Sequence, residues 1–153
     1  MKRILSFTLL AALLMAGPAF AADPILGTWK LDVSRSKFSP GGELKAATRK
    51  YSESGGLYTL DQKLTRADGK EIAYKVQYRD GKEQKNDASA FVDATLGKKI
   101  DANTWDFEIK KEGKVVGHVH RVVSTDGKTL TVHNTGTQLS GVKGDETLVF
   151  DKQ

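Results

Sequence analysis

No cysteine occurs anywhere in the 153 residues. Its absence excludes disulfides, thiol nucleophiles, thiolate metal sites and a lipid anchor attached through cysteine. Stability must therefore come from the core and from backbone hydrogen bonds. Catalytic signatures are missing as well. There is no nucleophile elbow of the form G-x-S-x-G, no Walker loop and no HExxH pair. Carboxylates are frequent but fall mostly in turns or on polar strand positions, so an enzyme is not expected. Charges of both signs alternate along the chain, and no basic block of the kind a nucleic-acid face needs is present. Beyond residue 21 there is no long apolar run, no convincing helical period, no linker and no low-complexity tract.

The amino terminus differs from the rest. Lys2 and Arg3 precede an apolar run over 4–15 that only Ser6 and Thr8 interrupt. Gly17-Pro18 breaks the run, and Ala19-Phe20-Ala21 places small residues where a signal peptidase reads. A basic start, a short apolar stretch and an A-x-A site define a secretory signal. A membrane-spanning helix needs about 20 apolar residues, more than this run supplies. The expectation is a leader over 1–21 and an exported protein, periplasmic or secreted. The formal charge of +5 includes Lys2 and Arg3, which would leave with the leader. A single domain over 22–153 follows, long enough to bury roughly two-thirds of its unfolded surface in one core.

That domain reads as short alternating runs between turns. Asp68-Gly69, Asp80-Gly81 and Asp126-Gly127 each precede a lysine, and Glu112-Gly113-Lys114 has the same form. Such pairs suit tight hairpins in which both central residues adopt positive φ. Between them apolar residues recur with period two, as one buried strand face requires. Tyr58/Leu60/Gln62/Leu64, Ile72/Tyr74/Val76/Tyr78, Trp105/Phe107/Ile109 and Leu130/Val132 are the clearest cases. The pattern predicts about nine strands, over 26–33, 44–53, 57–66, 71–79, 91–100, 104–111, 115–124, 129–137 and 146–151. One short helical turn is allowed within 86–96. Sequential hairpins argue for an all-β antiparallel up-and-down meander. At this strand count, closure or near-closure into a barrel removes exposed edges, a flat or two-layer sheet being the alternative.

Ile25-Leu26-Gly27-Thr28-Trp29-Lys30-Leu31 resembles the opening strand of the lipocalin and fatty-acid-binding superfamily, in which a G-x-W motif starts the barrel and its Trp plugs one end. The closing Leu148-Val149-Phe150-Asp151-Lys152 is similar to the last strand of fatty-acid-binding proteins. The chain looks closer still to uncharacterised exported bacterial lipocalin-like domains. Gly27-Thr28-Trp29-Lys30-Leu31 with Ser36-Lys37-Phe38, and Asp126-Gly127-Lys128-Thr129-Leu130-Thr131, carry that likeness. The resemblance implies a barrel that holds a small apolar or amphipathic molecule. Two features depart from the fatty-acid-binding pattern. Those proteins carry a helix pair between their first two strands, whereas Ser34 and Gly42 bracket too few residues here for two helices. Their final strand also carries an Arg-x-Tyr that holds the fatty-acid carboxylate; here that place reads Leu148-Val149-Phe150.

Three groups of residues are candidates for a site. Arg121 shares a strand face with Val119 and Val123, a face that meets Leu130 and Val132 across the Asp126-Gly127 turn. If that face points inward, a guanidinium is enclosed among aliphatic groups and needs a carboxylate partner, an exit to the rim or an anionic ligand. His118 and His120 project from one side of a strand, and a symmetric turn at Asp126-Gly127 sets His133 opposite His120. Three imidazoles with an open fourth position would suit zinc or copper, the lesser reading here. Finally, Tyr58, Tyr74, Tyr78, Trp105 and Phe107 fall on the apolar sides of adjacent strands, where they either line a cavity or fill the core. The favoured reading is an exported, monomeric carrier of a small apolar or amphipathic molecule. In it Trp29 closes one end, the aromatic faces line the cavity and Arg121 orients a polar head group. A metal-binding protein and a solid barrel acting as a protein-interaction module are the alternatives.

Overall fold

In the computed structural model the described residues are 22–153, apart from the side chain at position 88; the expected leader over 1–21 lies outside them. Ten strands follow one another: β1 (Gly27–Leu31), β2 (Leu44–Ser54), β3 (Leu57–Arg66), β4 (Glu71–Tyr78), β5 (Lys82–Ser89), β6 (Val92–Lys99), β7 (Thr104–Lys111), β8 (Lys114–Val123), β9 (Thr129–Thr137) and β10 (Lys143–Lys152). A single 3₁₀ turn, Val33–Arg35, lies between β1 and β2. Every pairing of neighbouring strands is antiparallel, and the sheet order is β4-β3-β2-β1-β10-β9-β8-β7-β6-β5. The first strand pairs with the last, Lys30 standing opposite Asp151, and so the meander rolls into a barrel. Closure is incomplete. β4 and β5 share no ladder, only the bridge Arg79 to Lys82 beside their turn. Among the described residues no helix is long and apolar enough to cross a membrane.

The strand missed by periodicity is β5. Its sequence, KEQKNDAS, carries almost no apolar side chain, because it borders the open seam and pairs on one side only. A strand that covers little core need not print alternation. The helical turn allowed within 86–96 is therefore the end of β5, a two-residue turn and the start of β6. The turn chemistry also differs in part. Of the four Asp-Gly and Glu-Gly pairs, only Glu112-Gly113 places both residues at positive φ, 49° and 74°. At Asp126-Gly127 the glycine alone does so, at 70°, with its N–H bonded back to the Ser124 carbonyl at 2.8 Å. Asp126 instead accepts from the Lys128 N–H at 3.0 Å, the local bond that suits aspartate to turns.

The two ends of the barrel are built differently. At the closed end the segment 23–26 runs under the sheet, and Ile25 and Trp29 are buried there. The Trp29 indole N–H donates to the Ile25 carbonyl at 2.7 Å, satisfying its only donor inside an apolar layer. Tyr58 donates to Asp23 at 2.7 Å, and Lys99 pairs with the same carboxylate. At the open end stand a strap over 32–43, the turns after β3, β5 and β7, and the loop 138–142 between β9 and β10.

Candidate ligand-binding site

Strand alternation sends a polar layer into the middle of the barrel. Ala47, Arg49 and Tyr51 of β2 face inward, as do Leu60, Gln62 and Leu64 of β3. Register then lines up Arg49, Gln62 and Tyr74 across β2, β3 and β4. On the facing wall Val119, Asn134 and Glu146 form a row across β8, β9 and β10, with Arg121 one inward step nearer the closed end. These rows enclose a cavity of about 50 Å³ lined by Arg49, Gln62, Tyr74, Arg121, Asn134 and Gln138 among others.

Arg121 is where alternation places it, opposite Val132, and it is only 5% exposed. It neither reaches the rim nor meets an acid. Its Nη1 donates to the Tyr78 hydroxyl at 3.0 Å, and its guanidinium lies 4.4 Å from the Phe107 ring centre and 4.9 Å from that of Tyr51. The planar cation is thus held against aromatic faces, which attract it through their negative quadrupole. Burial works against its charge, and the neighbouring Tyr51 and Tyr78 hydroxyls act in its favour, so the guanidinium stays charged. Burial also pushes the Tyr78 and Tyr74 hydroxyls up to about 12, so both remain neutral at physiological pH.

A second guanidinium was not singled out by sequence reasoning. Arg49 is also 5% exposed, donates to the Tyr51 hydroxyl at 3.3 Å and lies 4.8 Å from the Phe150 ring centre. An Arg-x-Tyr is therefore present, on β2 rather than on the last strand. The inward alternation Ala47/Arg49/Tyr51 was the available signal. Among the described residues no carboxylate oxygen comes within 4.0 Å of either guanidinium. Glu146, the one buried acid of this layer, accepts from Asn134 at 2.9 Å instead.

The aromatic candidates separate. Tyr74 lines the cavity, whereas Tyr58, Tyr78, Trp105 and Phe107 pack on one another below it. Tyr58 stacks on Tyr78 at 5.3 Å between ring centres, Trp105 on Phe107 at 5.8 Å, and edge-to-face contacts of 5.0–5.2 Å join the two pairs. They fill the closed half and bridge β3 and β4 to β7. Trp29 is fully buried at the closed end, away from the cavity.

The histidines keep their expected register, with His120 opposite His133, on the outer face. His120 and His133 are each held by a different acid, and His118 is exposed two residues before His120 on the same strand. His120 Nδ1 meets Asp106 at 2.6 Å and His133 Nε2 meets Asp145 at 2.7 Å. Among the described residues no group of three or more His, Cys, Asp or Glu is arranged to hold a metal ion.

Above the polar layer the open end carries a groove of about 530 Å³ between the β3–β4 turn, the β5–β6 turn and the loop 138–142. Tyr74 and Leu139 line both this groove and the inner cavity. The Ser89 hydroxyl donates to the Leu139 carbonyl at 2.7 Å, tying the loop to the end of β5.

No family model matches the sequence, and no curated protein matches it. Solved structures do match in fold. A Schistosoma mansoni fatty acid binding protein in complex with arachidonic acid superposes with a TM-score of 0.60 at 16% identity, covering 85% of this chain and 96% of that one. Apo Caenorhabditis elegans lipid binding protein 8 gives 0.61 at 14% identity, covering 87% and 98%. Zebrafish ileal bile acid-binding protein complexed with cholic acid gives 0.51 at 13% identity, covering 85% and 98%. The chain has the lipocalin-like barrel fold of fatty-acid-binding proteins.

Proposed function

We propose that this chain is an exported, monomeric binding protein that carries a small amphipathic molecule, its polar head at Arg49 and Arg121 and its apolar part directed through the open end. The carrying observation is the pair of buried guanidiniums without acidic partners, beside a cavity that shares Tyr74 and Leu139 with a larger groove. An unpaired buried cation costs several kcal/mol, a cost that an anionic or strongly polar head would offset. The inner cavity alone is far below the roughly 300–1,000 Å³ of ordinary ligand pockets, and the groove falls within that range. The fold neighbours whose names speak of fatty acids and bile acids support the same class of cargo. No residue of the site is assigned a catalytic role, and no metal or cofactor is needed.

The test is native mass spectrometry of the protein exported by its own leader and purified gently. A mass excess of a few hundred daltons, lost on denaturation and absent in Arg121→Met, is the expected result. A bare mass that persists after incubation with zinc, copper and a lipid extract sinks both the carrier and the metal-binding readings. It would favour a filled barrel that contacts another protein through its loops, a reading to which the packed aromatic half already lends weight.

A further inference from the structure

Among the buried side-chain atoms without a hydrogen-bond partner, four belong to residues lining the inner cavity: Arg49 Nε, Arg121 Nε, Gln138 Nε2 and Gln62 Oε1. Three of them are donors. The Gln62 amide becomes a fourth by turning over, since its oxygen and nitrogen are interchangeable in shape. Buried donors are ordinarily satisfied, and orphans gathered on one small interior space indicate an acceptor inside it. The space, about 50 Å³, has room for one or two waters or one small anion.

Charge decides between those occupants. Among the described residues the buried charged side chains are Arg49, Arg121 and Glu146, whose formal charges sum to +1. Glu146 is turned to Asn134 and compensates neither guanidinium at contact distance. The surrounding hydroxyls of Tyr74 and Tyr78 stay protonated and supply no negative charge. Water would satisfy the orphaned N–H groups but would leave the positive charge in place, in an interior where it is weakly screened. We propose that the inner cavity is a binding site for one small monovalent anion of the size of chloride, nitrate or formate. The anion sits between Arg49 and Arg121 and accepts from their Nε–H groups and from the amide of Gln138. Dianions such as sulfate exceed both the charge and the space. The inference shares its cavity with the carrier reading but depends on neither the groove nor a cargo. The same chemistry, a monovalent acceptor, could come from a free ion or from the carboxylate head of an amphipath.

The experiment is a set of thermal melts of the mature protein at neutral pH and constant ionic strength. Sodium chloride, nitrate or formate is exchanged in steps against sodium gluconate, whose anion is too large to enter, with sulfate as the divalent control. A saturable rise in Tm with each small monovalent anion is expected, as linkage requires for a ligand that binds only the folded state. The rise should be absent with sulfate and flattened in Arg121→Met and in Arg49→Met. Surface effects of salt survive in those variants and so are subtracted by them. If the variants do not fold, a bromide soak of wild-type crystals replaces them: one anomalous peak between the two guanidiniums supports the proposal, and ordered water alone there overturns it. Equal Tm in all salts overturns it too. A native mass excess, with no anion response once the cargo has been stripped by denaturation and refolding, would retain the carrier and reject the ion site. An anion response on a protein of bare mass would do the reverse.

Discussion

The two halves of this barrel use buried side chains in opposite ways. Below the polar layer, Tyr58, Tyr78, Trp105 and Phe107 meet at ring distances of 5.0–5.8 Å and leave little room for anything else. Within the layer, Arg49, Gln62, Arg121 and Gln138 carry unsatisfied polar atoms around a small cavity. A filled aromatic core contributes stability through burial and ring geometry. A layer of unpaired cations subtracts from it. Such a layer on an otherwise well-packed scaffold points to binding, since nothing in folding alone favours it.

Truncation at the closed end should give the largest effect. Trp105 is 1% exposed and touches three other aromatic rings. Trp105→Ala should cost about 3–5 kcal/mol in urea denaturation, the usual range for deleting a buried large aromatic side chain. A cost near 1 kcal/mol would mean that the rings are loosely packed and that the closed half can open to cargo. The contrast between the halves would then fail.

Arg121→Met tests the other half and should move stability the opposite way. Methionine keeps much of the volume and removes the charge. Replacing buried ionic groups by apolar ones of similar size is often neutral or stabilising by about 1–4 kcal/mol. The Tyr78 hydroxyl loses a hydrogen bond, which sets the gain toward the low end. The expected outcome is an unchanged or raised Tm together with loss of cargo or anion binding. A fall as large as that of Trp105→Ala would make Arg121 a structural cation held by its rings.

How much of this was legible in the sequence depended on what each strand covers. β3, β4, β7 and β9 have one wet and one buried face, so their apolar residues print the period of two. β5 borders the seam and prints nothing, which is why ten strands read as nine. Arg121 stood out because Val119 and Val123 flank it in an apolar alternation. Arg49 did not, because Lys45 and Lys50 on the outer face surround it and the segment reads as solvated. The His120–His133 register followed from a single hairpin. Where the imidazoles point depends on Asp106 and Asp145, which lie on the neighbouring strands β7 and β10. Turn chemistry within one hairpin cannot supply those distances.

Alkaline pH acts on the polar layer through its tyrosines. Tyr74 borders the cavity and Tyr78 joins the layer to the aromatic cluster, and burial raises both to about 12. In the unfolded chain each ionises near 10. Raised groups leave stability intact below the unfolded value and remove it as pH climbs toward the folded one. The protein should therefore lose about 2 kcal/mol per tyrosine between pH 10 and about 12. Urea midpoints across that window should fall less steeply in Tyr74→Phe and in Tyr78→Phe. Equal steepness in Tyr74→Phe would mean that water already reaches the layer through the seam.

The smallest effect belongs to the strap at the open end. Asp32 accepts from the backbone N–H groups of Ser34 and Arg35 at 2.9 and 3.2 Å, capping the 3₁₀ turn. Its hydrogen bonds to the Ser34 and Arg35 side chains hold its pKa at about 2. A depressed carboxylate contributes stability above its unfolded value, 3.8 here, and loses it as pH falls through the folded one. Asp32→Ala should lower Tm slightly at neutral pH, and the difference from wild type should shrink below 3.8 and vanish near 2. The cap is exposed and its Arg35 contact is screened by salt, so the effect stays small. Its value lies in what else changes. The strap occupies the interval between β1 and β2, and Lys37 in it pairs with Thr147 of β10, next to Glu146. If Asp32→Ala also speeds release of anion or cargo, the strap gates the open end. If only Tm moves, entry runs past Tyr74, through the groove or the seam between β4 and β5.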